Sequence, residues 1–140
     1  MKALIATDGS SHSLRAARFL IEWIKHCGTI EVHVINVQLN APFIDLLSAE
    51  KRADIERWIQ KRGNEESAAA CQMLSAAGLP YELHVVSGDA AEAIAHCARE
   101  HQCELIVMGT RGMGAIAGLA LGSVATKAIH LADVPVTLVK

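Results

Sequence analysis

The stretch from Gly109 to Val124 reads Gly-Thr-Arg-Gly-Met-Gly-Ala-Ile-Ala-Gly-Leu-Ala-Leu-Gly-Ser-Val. It follows a continuous apolar run, Leu105–Met108, and precedes a helical pattern that extends to Leu131. A strand, a glycine-rich loop and a helix N-terminus in this order are typical of phosphate sites in α/β proteins. Glycine lets the backbone approach an anion, and the helix start offers free N–H groups. Ser123 is predicted as the helix N-cap and as a hydroxyl donor to a phosphate oxygen.

The spacing of the glycines makes this signal specific. Gly109 and Gly112 are separated by two residues, and nine more lead to Gly122 and Ser123. The pattern resembles the nucleotide-binding signature of the universal stress protein family, Gly-x2-Gly-x9-Gly-(Ser/Thr), at all four positions. The resemblance extends over the whole chain, residues 1–140. A glycine-containing connection that only packs tightly is the alternative.

Other motifs of nucleotide sites and hydrolases are absent from the sequence. There is no Gly-x4-Gly-Lys-(Ser/Thr), which excludes a P-loop NTPase. The first β–α turn reads Asp8-Gly9-Ser10-Ser11, without the Gly-x-Gly-x-x-Gly of a dinucleotide site. Asp8, Ser10 and His12 share one tight turn and no Gly-x-Ser-x-Gly nucleophile elbow is present, so we do not expect a hydrolase.

Length and composition predict one domain that covers residues 1–140. Hydrophobic residues make up 51% of the chain and aromatic residues 4%, so the core is built from Ala, Val, Ile and Leu. A formal net charge of −2 gives no basic footprint for nucleic acid or anionic membrane. No signal peptide precedes the first strand, and the longest apolar run, around Met113 to Ala125, is shorter than the about 20 residues that span a bilayer. We therefore expect a cytoplasmic protein whose four cysteines are reduced thiols.

Strand and helix patterns alternate along the chain. Strands are predicted at Lys2–Thr7, Thr29–Val37, Tyr81–Ser87, Leu105–Met108 and Val136–Val139. The first helix is predicted to have Ser11 or Ser13 as N-cap and to stop at Gly28. Further helices are predicted at Ile44–Ala77, at Ala90–His101 with Asp89 as N-cap, and at Ser123–Leu131. Gly63 is expected to kink or divide the second helix, whose inward positions include Trp58, Ile59 and Leu74. A loop that contains Pro42 precedes it.

This alternation predicts right-handed crossovers and a parallel sheet. The fold class is α/β, a single doubly wound, Rossmann-like sheet of five strands with helices on both faces. The family resemblance implies the strand order 3-2-1-4-5. In that order the carboxyl ends of strands 1 and 4 form the switch point at which ligands bind.

The predicted nucleotide site lies at this switch point. Asp8 ends the first strand, where its carboxylate can accept hydrogen bonds from ribose or anchor a metal near phosphates; a turn-forming role is the alternative. Arg111 is expected to pair with phosphate oxygens or to be a solvated loop charge. The resemblance implies main-chain contacts to adenosine from Ala6, Thr7 and Val37. The full predicted set is Ala6, Thr7, Asp8, Val37, Met108, Gly109, Arg111, Gly112, Gly122, Ser123 and Val124.

Histidine and cysteine residues raise the alternative of a metal site. His96, Cys97, His101 and Cys103 fall within eight positions of the sequence. Their spacing matches no standard zinc pattern, and neighbouring helical residues point about 100° apart. We therefore predict no metal site formed by the protein itself.

The resemblance implies a universal stress protein that binds ATP or a related adenine nucleotide. Any Mg²⁺ is expected to be recruited by the phosphates, with Asp8 as a weak protein anchor. It also implies a homodimer, and the apolar edge strand Val136–Val139 is the predicted contact. No Walker lysine or clear general base is present, so we expect a protein of stress response and regulation rather than an enzyme. The alternative is a nucleotide-free homodimeric interaction module of the same fold, against which the intact glycine signature argues.

Overall fold

The computed structural model describes residues 1–40, 43–113 and 121–140, with Cys27 described by its backbone alone. The strands in these ranges are β1 Lys2–Ala6, β2 Glu31–Gln38, β3 Tyr81–Ser87, β4 Leu105–Gly109 and β5 Val136–Val139. The helices are α1 Ser11–Cys27, α2 Ala49–Ala76, α3 Ala90–Glu100 and α4 Ser123–Leu131, and a short 3₁₀ helix occupies Ile44–Leu46. All five strands are parallel in one sheet of order β3-β2-β1-β4-β5, which confirms the predicted fold and strand order. The predicted loop position of Pro42 lies outside the described residues.

Helices cover both faces of the sheet, which explains why the central strands are continuously apolar. On one face α1 and α2 pack on the sheet through Leu20 and Leu74, together with Ile5 of β1. On the other face α3 and α4 pack on Leu4 of β1 through residues such as Ile94. Leu4 and Ile5 are consecutive and both fully buried, because successive side chains of a strand enter opposite cores.

The ends of α1 show how local chemistry sets a helix boundary. Ser10, rather than Ser11 or Ser13, is the N-cap, and its Oγ accepts a hydrogen bond from the backbone N–H of Ser13 at 3.2 Å. At the other end Gly28 stops the helix as predicted, with a φ of 78° that glycine adopts without strain. Asp89 caps α3 as predicted, since its carboxylate accepts a hydrogen bond from Glu92 N.

Gly63 neither kinks nor divides α2, so that prediction is wrong. The helix runs without interruption through Gly63, which is buried where α2 crosses β3. A Cβ at this position would lie 2.2 Å from Cγ1 of Val85 and 3.1 Å from Oδ1 of Asn36. The absence of a side chain therefore allows helix and sheet to approach closely.

The predicted inward face of α2 is only partly correct. Ile59 and Leu74 are buried, but the Trp58 side chain is 54% exposed and lies under the guanidinium of Arg62. The helix begins at Ala49 rather than Ile44 because Ser48 caps it through a hydrogen bond from Lys51 N. None of the helices in the described ranges combines the length and apolar composition needed to cross a membrane.

Candidate functional site

The carboxyl ends of β1 and β4 meet at one edge of the sheet. The two strands pair in parallel, with Ala3 opposite Leu105 and Ile5 opposite Val107. The chain leaves β1 for α1 on one face and leaves β4 for α4 on the other, and this divergence opens a crevice between the two connections. A cavity of about 490 Å³ occupies the crevice. That volume falls within the range of small-molecule sites.

The cavity brings together every residue of the predicted nucleotide site. The predicted residues that line it are Ala6, Thr7, Asp8, Val37, Met108, Gly109, Arg111, Gly112, Gly122, Ser123 and Val124. Its lining also includes residues that were not predicted, namely Ser13, Ile35, Leu39, Ala90, Ile94, Thr110, Met113, Leu121 and Ala125. By element, β2 and α3 contribute aliphatic side chains, whereas the β4–α4 connection contributes glycines, a hydroxyl and a helix start.

The start of α4 is the element most suited to an anion. Gly122 is the N-cap, so the prediction that Ser123 caps the helix is wrong by one residue, and Ser123 is instead the first helical residue. Because glycine has no side chain, the N-cap offers no oxygen to accept a hydrogen bond from the N–H groups of the first turn. Gly122, Ser123 and Val124 line the cavity, so the start of α4, with its first-turn N–H groups and the positive end of the helix dipole, lies at the cavity wall.

Hydrogen bonds fix both ends of the glycine loop. Gly122 N donates to Thr110 O at 2.8 Å, and Thr110 N donates to Val139 O of β5 at 2.9 Å. Thr126 Oγ1 donates to Gly122 O at 3.0 Å. These bonds hold the start of α4 beside the end of β4. The centre of the loop, residues 114–120, lies outside the described residues.

The three glycines of the motif meet different physical requirements. A Cβ on Gly109 would lie 2.8 Å from Cβ of His12, and a Cβ on Gly112 would lie 2.6 Å from Oδ2 of Asp8. Tight packing within the protein therefore accounts for both of these glycines. A Cβ on Gly122 would meet nothing closer than Thr110 O at 3.4 Å, which is an ordinary contact. Packing within the described residues does not explain Gly122.

Asp8 joins the first β–α turn to the glycine loop. Its Oδ1 accepts a hydrogen bond from Ser10 N at 3.0 Å, and its Oδ2 accepts one from Met113 N at 2.8 Å. Burial raises the pKa of Asp8, but hydrogen bonds from Ser10, Met113 and Ser13 lower it more, so the net pKa lies below the ordinary value. The carboxylate is charged at neutral pH, and it forms the turn contacts that were the alternative to a ligand role.

A buried polar network beneath this turn was not predicted. Asn36 Nδ2 donates to Thr7 O at 3.0 Å and to Glu66 Oε2 at 3.1 Å, and Gln38 Nε2 donates to Glu66 Oε2 at 2.7 Å. Burial raises the pKa of Glu66, but hydrogen bonds from Arg62 and from the two amides hold it below its ordinary value. The network ties α2 to the end of β1. The sequence carried a signal of this network, because Asn36 and Gln38 are two amides at alternate positions of an otherwise apolar strand, and buried amides need hydrogen-bond partners.

Backbone contacts also limit what Thr7 can offer a ligand. Its N–H donates to Ile35 O at 2.9 Å, and its carbonyl already accepts the bond from Asn36. One lone pair of the Thr7 carbonyl is therefore left for the main-chain contact that the resemblance implies.

The residues of the rejected catalytic triad have separate partners. Ser10 Oγ accepts the capping bond from Ser13 N, and His12 Nδ1 lies 2.8 Å from Nη2 of Arg15. Asp8 is held by backbone N–H groups of two loops. In the part of the chain that the structure describes, these three side chains serve the turn rather than a proton relay.

The sequence model of the universal stress protein family matches the whole chain, residues 1–140. The chain belongs to this family. A universal stress protein of Methanocaldococcus jannaschii is 33% identical over 139 residues, which cover 99% of this chain and 81% of that protein. A universal stress protein of Thermus aquaticus is 33% identical over 138 residues, which cover 98% of this chain and 96% of that protein.

Solved structures show the same universal stress protein fold. The protein MJ0577 matches with a TM-score of 0.86 at 23% identity, over 99% of this chain and 94% of that one. A universal stress protein in complex with cAMP matches with a TM-score of 0.72 at 24% identity, over 100% and 97%. A family member from Arabidopsis thaliana with AMP bound matches with a TM-score of 0.68 at 16% identity, over 100% and 91%. At these identities the likeness establishes the fold.

The histidines and cysteines considered as metal ligands do not converge as a group in the described structure of this universal stress protein. The His96 side chain is 73% exposed, whereas Cys97 and Cys103 are buried in the core beneath α3. Burial raises the pKa of the Cys97 thiol to about 12, which keeps it protonated. His101 lies instead beside His33 of β2 and His84 of β3, and the sequence analysis did not predict that these three histidines would meet.

Proposed function

We propose that this member of the universal stress protein family binds ATP, or a related adenine nucleotide, in the cavity between β1 and β4. In this proposal it acts in the cytoplasm as a regulator in stress response, and nucleotide binding rather than fast catalysis is its role. The observation that carries the proposal is Gly122 at the start of α4. The described neighbours of Gly122 leave room for a side chain at this position. A phosphate bound at the first N–H groups of α4 would occupy that room, which would explain why the residue is glycine.

The β2 side of the cavity suits an adenine ring. Ile35, Val37 and Leu39 of the second strand and the segment beyond it, with Ile94 of α3, surround that side with aliphatic groups. A flat aromatic ring gains from such a surface, and backbone groups at the strand ends can satisfy its nitrogens. The solved relatives with cAMP and with AMP support an adenine ligand.

The α4 side of the cavity suits phosphates. The first-turn N–H groups, the Ser123 hydroxyl and the half-buried Arg111 line this side of the cavity. Fixed donors and one guanidinium are the groups that bind a phosphate chain. Mg²⁺ would then be held mainly by the phosphates, with Asp8 as the adjacent carboxylate.

The described residues provide little for phosphoryl transfer. Lys127, one turn into α4, points to α3, where its Nζ lies 3.0 Å from Asp89 Oδ2 and 2.8 Å from Glu92 Oε1. Fast phosphoryl transfer needs a positioned nucleophile and concentrated positive charge at the leaving group. Arg111 is the one cationic side chain among the described residues that line the cavity.

The test begins with mass spectrometry of gently purified protein, in which we expect a co-purified adenine nucleotide. A radiolabelled ATPase assay on the same preparation should give a turnover at least about three orders of magnitude below the roughly 10 s⁻¹ typical of enzymes. A Gly122→Val variant serves as the blank for contaminating ATPases. A rate of about 1 s⁻¹ that disappears in the variant would make this protein an enzyme and overturn the binding role.

We also propose a homodimer formed through the exposed edge of β5. This strand is last in the sheet order. The carbonyl of Pro135, just before it, accepts a hydrogen bond from Ile106 N of β4, and the Val139 carbonyl accepts one from Thr110 N, just after β4. The backbone N–H and C=O of one strand residue point to the same edge of the strand, and the edge alternates from one residue to the next. Thr137, midway between Pro135 and Val139, therefore also faces β4. The N–H groups of Val136 and Leu138 face outward, away from the sheet. A two-fold axis lets these outward groups pair with those of a second copy.

Leu138→Pro is expected to convert the dimer to a monomer, because proline removes an outward N–H from the shared edge. Light scattering of both proteins at equal concentration measures the change. Leu138→Ala is the matched control, since it loses the same packing against the α3/α4 core but keeps the N–H. A monomeric wild type, or an equally monomeric Leu138→Ala, would contradict pairing through the strand edge.

A further inference from the structure

Three histidines and one glutamate from three elements form a cluster at the β3 side of the sheet. This histidine cluster consists of His33 on β2, Glu82 and His84 on β3, and His101 at the C-cap of α3. One ligand atom from each of the four lies within 4.8 Å of the others. We propose that the histidine cluster binds a divalent transition-metal ion, with Zn²⁺ as the first candidate.

Strand register explains why these residues meet. In the parallel pair of β2 and β3, His33 lies opposite Glu82 and Ile35 lies opposite His84. Residues at alternate positions share a face of the sheet, so all of these side chains project to the face that carries α3. His101 ends α3 above the same point, and its ring lies 4.7 Å from that of His33 and 4.2 Å from that of His84, centroid to centroid.

The distances within the cluster are close to those of a coordinated ion. His33 Nδ1 lies at hydrogen-bond distance, 3.0 Å, from His84 Nε2, and Glu82 Oε2 lies 3.7 Å from the same His33 nitrogen. A tetrahedral Zn²⁺ site with ligands at about 2.0–2.1 Å separates its ligand atoms by about 3.3 Å. Small side-chain rotations therefore suffice to direct the four ligand atoms to one ion.

The second nitrogen of His33 has the environment expected of a metal-bound histidine. His33 is 2% exposed, and its Nε2 is fully buried and lies 3.2 Å from Glu31 Oε1. That contact does not meet hydrogen-bond geometry, so Nε2 is left without a partner among the described residues. A metal at Nδ1 places the proton on Nε2, and a small rotation of the exposed Glu31 side chain would let Nε2 donate to it, which gives the carboxylate–histidine–metal arrangement of many sites.

The charge around the cluster also favours a cation. Glu31 and Glu82 bring two carboxylates to it, of which Glu31 is shared with Lys2 at 3.3 Å. His101 follows the last turn of α3, where the negative end of the helix dipole attracts positive charge. Imidazole donors select Zn²⁺, Cu²⁺ or Ni²⁺, whereas Mg²⁺ and Ca²⁺ prefer oxygen ligands. This ion would therefore be distinct from any Mg²⁺ carried by a nucleotide.

Calorimetric titration of chelator-treated, tag-free protein with Zn²⁺, in the absence of nucleotide, tests the proposal. We expect one ion per chain and a rise in Tm of about 5–10 °C at a hundredfold excess of free Zn²⁺ over Kd. His84→Gln should weaken binding at least about a hundredfold, because loss of a ligand exceeds the effect of losing an outer-shell partner. His101→Gln is the second variant, for the case in which His84→Gln does not fold by circular dichroism.

His130→Gln is the matched control, since His130 is an exposed histidine near the end of α4. It should bind Zn²⁺ as the wild type does, and Gly122→Val should do so as well, since the cluster does not depend on the nucleotide cavity. Co²⁺ in place of Zn²⁺ should give visible absorption without a thiolate charge-transfer band. Three results would overturn the proposal. They are wild-type protein that does not take up one Zn²⁺ per chain, a loss of Zn²⁺ affinity in His130→Gln equal to that in His84→Gln, and a thiolate charge-transfer band in the Co²⁺ spectrum.

Discussion

Gly122→Val is expected to abolish ATP binding, with an affinity loss of at least about a hundredfold, or about 2.7 kcal/mol, in a protein that still folds. The φ of −76° and ψ of 158° at Gly122 are open to any residue, so valine introduces no backbone strain. The Cβ makes only ordinary contacts with Thr110 and Arg111. The methyl groups extend beyond the Cβ at the first N–H groups of α4, where the phosphates are proposed to bind.

Isothermal titration calorimetry with ATP measures this loss of affinity, and circular dichroism checks that the variant is folded. Gly28→Ala is the matched control, because a Cβ there meets nothing within 4 Å but the φ of 78° is strained for alanine. This control should lose stability and keep its affinity for ATP, the opposite of Gly122→Val. Unchanged affinity in a folded Gly122→Val protein would remove the main support for the nucleotide site.

Gly63→Ala is expected to lower the free energy of unfolding by about 2–3 kcal/mol, although alanine is the better helix former. Helix propensity alone predicts a gain of about 1 kcal/mol for this change. The Cβ would lie 2.2 Å from Cγ1 and 2.9 Å from Cγ2 of Val85, so α2 has to move away from β3. The steric cost is larger than the gain in propensity, because both Cγ atoms of a β-branched side chain in a strand have little freedom to move.

Urea unfolding of a double-mutant cycle separates the steric term from other effects. Val85→Ala removes the two methyl groups that the new Cβ would meet, so Gly63→Ala should cost much less in that background. Asn64→Ala, at the next and exposed position of α2, should be neutral or slightly stabilising. Additive effects of Gly63→Ala and Val85→Ala would show that close contact is not the reason for the glycine.

The observed N-caps of α1 and α4 differ from the predicted ones by one or a few residues. Ser10, Ser11 and Ser13 carry the same capping hydroxyl, and the backbone conformation after β1 decides that Ser10 is used. At α4 the N-cap is Gly122 although Ser123 has the better capping side chain. A one-residue difference matters here, because it leaves the first N–H groups of α4 open to a ligand.

The local pattern of the sequence determined most of the strand and helix positions and the glycine-rich part of the cavity, whereas Ala6, Thr7, Val37 and the switch point came from the family resemblance. Apolar runs, helical periodicity and the spacing of Gly109, Gly112, Gly122 and Ser123 are properties of neighbouring residues, and every predicted site residue lines one cavity. The strand order followed from the family resemblance and is the order of the sheet.

Contacts between distant segments were decided only by the tertiary structure. Local propensity indicated a break at Gly63, but the approach of α2 to β3 makes it a packing residue inside a continuous helix. The bond between Asn36 and Glu66 and the approach of His33 to His84 join residues 30 and 51 positions apart. Such pairs depend on the register between strands and on the way helices pack on the sheet. Both are set when the sheet buries its two faces, so a local stretch of sequence does not contain the information that fixes them.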